Sequence, residues 1–147
     1  MNQKILLATV LSLCLMTSMA FAGAMPSLVG DWKGTGKGGV AMGKLGHTES
    51  TETPKFSSAS PDFTLRITKQ DGHRFHGERF TAKTKETILG VIDDDGKSIY
   101  MVDDDGVFIC TYNKAKDSIK VRYMEPGKDS KVVAISVYTR VKKIALD

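Results

Sequence analysis

The chain has 147 residues, 41% of them hydrophobic, 26% charged and 7% aromatic. That balance fits an ordinary globular protein and excludes a disordered chain, a collagen or a coiled-coil rod. The length allows one domain, and a net charge of +4, with Lys and Arg interspersed among Asp and Glu, is too mild to imply a nucleic-acid partner.

Residues 1–22 read as a secretory signal peptide. Lys4 gives the positive start, an apolar run follows, and Ala20-Phe21-Ala22 supplies the small-x-small cleavage site. The run is broken by Thr9, Ser12, Thr17 and Ser18 and falls short of the roughly 20 apolar residues of a membrane span. The expectation is an exported chain, periplasmic or extracellular, with no membrane insertion after the leader is removed. Its domain is then residues 23–147. Cys14 leaves with the leader, so Cys110 is the single remaining thiol and no intrachain disulfide can form.

The mature region reads as strands with short turns. A first strand covers residues 28–35. The alternation of Phe63, Leu65 and Ile67 with polar neighbours marks a second, ended by Asp71-Gly72. Strands follow at 74–81, 87–92, 98–102, 107–112, 118–124 and 131–141, the last rich in β-branched residues. Helical periodicity is lacking, so the fold class is all-β. Eight strands at this spacing form an antiparallel meander, and an eight-stranded up-and-down sheet hides its edges by closing into a barrel. Residues 36–61 are too long for a plain hairpin; they carry either an extra strand pair near 40–45 or a lid.

The opening segment Leu28-Val29-Gly30-Asp31-Trp32 resembles the Gly-x-Trp strand of the calycin superfamily, which includes lipocalins and avidins. The closing segment Ile135-Ser136-Val137-Tyr138-Thr139-Arg140 resembles the last strand of avidins. The resemblance implies a closed eight-stranded barrel in which the first-strand Trp packs at the closed end beside a basic residue of the last strand. Trp32 and Arg140 are therefore expected to touch. The avidin biotin pocket is not matched: Trp32 is the only Trp, and Gly34 stands where avidins carry a polar residue.

Candidate chemistry is sparse. The tetrads Asp93-Asp94-Asp95-Gly96 and Asp103-Asp104-Asp105-Gly106 are successive turns of a meander, so they lie at opposite ends and cannot share one cation; they read as turn chemistry. His73 and His76, three apart, point to opposite faces of a strand, which argues against a metal pair with His47 as a third ligand. Cys110 alternates with Phe108 and Tyr112 and reads as a buried hydrophobe. Gly34, Gly36, Gly38 and Gly39 precede no helix, so they are not a phosphate cradle. No catalytic residue, metal or cofactor is expected, and the chain reads as non-enzymatic.

The inward-facing set comprises Phe63, Leu65, Ile67, Phe75, Ile88, Phe108, Tyr112, Ile119, Val121 and Tyr123, with Val133, Ile135 and Val137 on the last strand. Such side chains either fill a barrel of this size or leave room for one small ligand. Phe63, Phe75, Phe108, Tyr112 and Tyr123 are the candidate ligand-binding residues. The expected function is binding of a small apolar or amphipathic molecule at the open end; the alternative is an inhibitor or interaction protein that presents its loops to a secreted hydrolase or envelope partner. Residues 98–102, 107–110 and 132–137 are apolar on both faces. Their outer side calls for a cover, either a second copy of the chain or the 36–61 excursion.

Overall fold

The computed structural model describes residues 25–46, 49–58 and 61–142. The leader and His47 lie outside them. Nine strands form one sheet: β1 (Gly30–Gly43), β2 (Thr51–Ser57), β3 (Thr64–Asp71), β4 (Arg74–Phe80), β5 (Lys85–Ile92), β6 (Ser98–Val102), β7 (Val107–Asn113), β8 (Ser118–Glu125) and β9 (Ser130–Arg140). Each of β3 to β9 pairs antiparallel with the next, and β9 returns to β1. The result is a closed eight-stranded antiparallel barrel with β2 as an added strand, and closure removes the free edge that an open sheet would expose.

The closing seam is the longest pairing of the barrel, from Trp32↔Arg140 to Gly43↔Ser130, with a bulge between Gly36 and Gly38. On its other side β1 is shared. Residues 30–33 pair with β3, and residues 39–43 pair with β2. The 36–61 excursion is thus neither a bare lid nor confined to 40–45. β1 runs on past the barrel, turns, and returns as β2, raising the wall at one end.

Alternation fixes what points inward. Leu65 and Ile67 on β3, Ile88 and Ile92 on β5, Phe108 and Cys110 on β7, and Ile119 and Val121 on β8 are all buried. One strand departs from expectation. On β9 the inward positions are Val132, Ala134, Ser136 and Tyr138, whereas Val133 and Ile135 are 56% and 40% exposed and Val137 is half-buried. The seam explains the phase: Tyr138 registers with Gly34, two residues along the strand from the buried Trp32. With side chains alternating at period two, that pairing sets every residue of β9.

The closed end is sealed by Trp32. Its indole is fully buried and donates Nε1–H to the Leu28 carbonyl at 2.9 Å. The expected stack is present, with the Arg140 guanidinium carbon 4.0 Å from the ring centroid. Arg140 also donates to the carbonyls of Ser27 and Val29 at 2.8 and 2.7 Å and to Asp117 at 2.8 Å. Tyr112 meets the indole edge-on, 6.2 Å between centroids.

Candidate functional site

The opposite end is open. Here the extended β1, β2 and β9 stand above the barrel and enclose a cavity of about 380 Å³. Its volume comes from small residues on the seam, Gly38, Gly39, Ala134 and Ser136, which give the wall little side chain. Phe63, Phe108 and Tyr123 line the interior, Leu45 and Pro61 the upper part, and Lys55 and Glu49 sit at the rim, 4.0 Å apart.

Arg79 is the floor. Positions 75, 77 and 79 of β4 share the inward face, so the strand that buries Phe75 also sends a guanidinium into the lumen. Its side chain is 6% exposed and donates to Glu86 at 3.1 Å and Asp103 at 3.0 Å. The guanidinium carbon lies 3.5 Å from the centroid of Phe63 and 5.3 and 5.1 Å from those of Phe108 and Tyr123, within cation–π range. Nε has no acceptor. Tyr138 packs against the same group; burial pushes its phenol pKa up, and Arg79 pulls against that.

Three carboxylates gather beside Arg79. Ligand atoms of Glu86, Asp103 and Asp105 lie within 4.8 Å of one another, an arrangement that would suit a hard cation if it stood alone. Arg79 donates to two of the three and is itself the positive charge there. Burial and the neighbouring Asp103 push the Glu86 carboxyl up to about 7, partly offset by Arg79.

The second Asp tetrad therefore does more than turn the chain. Asp103 also accepts from the Gly106 N–H at 2.8 Å, and Asp105 accepts from the Tyr123 hydroxyl at 2.9 Å. Gly106 is required by close approach, since a Cβ there would lie 2.1 Å from the Tyr123 ring. The first tetrad is the plain turn: Asp95 accepts from the N–H groups of Lys97 and Ser98 at 2.7 Å each.

Glu125 completes the floor. It follows Ile119, Val121 and Tyr123 on the inward face of β8 and is 6% exposed. Its Oε1 accepts from the Ser130 hydroxyl, and its Oε2 lies 3.2 Å from the Tyr123 hydroxyl. Burial and the surrounding carboxylates push the Tyr123 phenol far up, so it stays protonated.

Of the five candidate ligand-binding residues, Phe63, Phe108 and Tyr123 meet at the cavity. Phe75 and Tyr112 do not. Phe75 is packed over Gly90 and Tyr112 against Trp32, both in the closed half. Arg79, Glu125 and Tyr138 escaped the sequence reading. The alternation that placed Phe75 and Tyr123 inward extends to Arg79 and Glu125, and that was the available signal.

The other expectations resolve simply. Cys110 is buried and its thiol is pushed up to about 12 by desolvation, which removes the thiolate a nucleophile needs. His76 is exposed near Thr68, while His73 Nδ1 lies 3.0 Å from the Ile92 carbonyl. Comparison with family models, curated proteins and solved structures finds no match.

Proposed function

We propose that this protein is an exported, non-enzymatic binding module of the calycin type that takes one small apolar or amphipathic molecule at the open end of its barrel. The observation that carries this reading is the cavity of about 380 Å³, with apolar walls and a few convergent polar groups at its floor. Its volume falls within the 300–1,000 Å³ typical of small-molecule sites. Export rests on the leader in the sequence. The calycin reading rests on the Gly-x-Trp opening and is supported by the Trp32–Arg140 stack. The test is titration with N-phenyl-1-naphthylamine, a neutral apolar fluorophore. Enhancement should saturate at one probe per chain and be lost when the cavity is plugged by Ala134→Trp. Absence of saturable binding would favour the alternative, an interaction protein acting through its raised β1–β2 hairpin.

We further propose that a second copy covers the outer face. Cross-strand partners Leu89↔Val102, Val102↔Val107, Val107↔Met124 and Met124↔Val133 make one unbroken outer row, with Val91, Tyr100 and Ile109 beside it. Val133 then continues to Val40 and to Phe56, which is 84% exposed. Leu89 and Val133 are 56% exposed each, and Tyr100, Val102, Val107 and Ile109 are exposed beside them, a contiguous apolar surface of the kind that marks an interaction face. A second copy across a two-fold axis would bring the part of the row on β5 to β8 onto itself, residue against residue.

A further inference from the structure

We infer that the molecule held in this cavity carries a cationic amine at its polar end, and that Glu125 receives it; the inference rests on the ligand-binding reading above. Glu125 is a buried carboxylate lining the cavity, yet among the described residues no Lys or Arg nitrogen comes within 4.0 Å of it. A buried charge is normally paired. Its partners are two hydroxyls, and only one of them is its own. Ser130 gives Oε1 its proton. The Tyr123 hydroxyl has a single proton to share between Asp105, at 2.9 Å, and Glu125 Oε2, at 3.2 Å. When that proton goes to the nearer carboxylate, two oxygen lone pairs face each other at Oε2, and that oxygen lacks a donor.

An ammonium group satisfies this position in both charge and hydrogen bonding. The adjoining rings of Phe108 and Tyr123, 4.8 Å apart, would add cation–π attraction. Arg79 does not oppose it, because its charge is already paired with Asp103. The opposite polarity, a carboxylate drawn to the Arg79 Nε, would bring a further anion to a guanidinium already paired with Asp103 and would set it near Glu125.

Three eight-carbon probes that differ only in head group test the inference by calorimetry at pH 7: octylammonium, octan-1-ol and octanoate. Octylammonium should bind about tenfold more tightly than octan-1-ol, as expected for a charge-assisted hydrogen bond, and octanoate should bind least. Glu125→Gln should abolish the advantage of the amine over the alcohol. Octanoate binding as well as the amine, or an amine preference that survives Glu125→Gln, would overturn the inference while leaving the pocket in place. Failure of all three probes would remove the pocket reading itself. The ranking on the unaltered protein needs no variant, so a Glu125→Gln chain that did not fold would leave the test intact.

Discussion

The Tyr138 ring lies flat over Gly34, its register partner across the β1–β9 seam, so close that a Cβ at residue 34 would stand 2.7 Å from the ring's Cζ. That contact seats the phenol beside Arg79, at the level where the packed half of the barrel gives way to the cavity. Gly34→Ala should displace the ring, because the new Cβ would occupy the space its face now fills. Overpacking of this kind costs about 1–3 kcal/mol. Chemical denaturation should register the loss, and Gly34→Ser should behave alike, since the obstacle is the Cβ.

Trp32 and Arg140 lock the other end. Trp32→Ala should cost about 3–5 kcal/mol, the range for deleting a fully buried aromatic. Arg140→Ala removes the stack on the indole, takes the Arg140 donors from the Ser27 and Val29 carbonyls, and leaves Asp117 with the Tyr112 hydroxyl. It should cost about 1–3 kcal/mol. Because the two residues touch, a double mutant should lose less than the sum of the single losses. Additive losses in urea melts would show that they act separately.

Stability should fall as pH rises through the range set by Glu86. Its carboxyl is held up from the ordinary 4.5 to about 7 by burial and by Asp103. Below about pH 4.5 both folded and unfolded chains hold this proton. Between 4.5 and 7 only the folded chain does, and above 7 the folded chain must give it up beside another carboxylate. The contribution lost across that window is on the order of 1–3 kcal/mol. Glu86→Gln should flatten the slope between pH 5 and 8. Asp95 acts with the opposite sign and lower down: hydrogen bonds from Ser98 and Lys97 hold it below 3.8, so its contribution is lost as acid is added below that value.

Cys110 should resist alkylation. With the thiol buried and pushed up to about 12, iodoacetamide at pH 8 should leave the folded chain unmodified and label it once the chain is unfolded in guanidinium. Mass spectrometry of the intact chain reads both states.

The outer row predicts assembly. Leu89 and Val133 lie at 56% exposure each, at two points along it. Leu89→Lys combined with Val133→Lys should convert an assembled species to a monomer by light scattering. The barrel's melting temperature should change little at low protein concentration, because neither side chain belongs to the core.

Much of the barrel was legible because most strands have one apolar and one polar face. On β3 the alternation of Leu65 and Ile67 with Arg66 and Thr68 leaves one way to face the core. β9 failed for the converse reason: Val132, Val133, Ala134 and Ile135 are apolar on both sides, so period two carries no information about phase. The Tyr138–Gly34 contact decides it, and a long-range contact is not written in local pattern. The cavity was hidden for a related reason. Alternation tells in from out but not top from bottom, so it does not separate Phe75 and Tyr112, in the closed half, from Phe63 and Phe108 at the cavity. Empty volume arises where small residues of distant segments meet, as Gly39 does with Ala134, and it becomes visible only when both strands are in place. Arg79 and Glu125 were within reach, since each continues an inward series by one step.

β1 is held between β3 and a strand from the far end of the chain, and this bears on how the molecule assembles. The polypeptide cannot fold progressively from its beginning, because one flank of β1 stays bare until residues 130–140 exist to cover it. Such a high contact order slows folding and makes ring closure the final, committing event. It also ties the segment before β1 to the end of β9, through the Arg140 contacts to Ser27 and Val29. A chain truncated before residue 130 should therefore leave β1 with one flank uncovered and fail to close the ring.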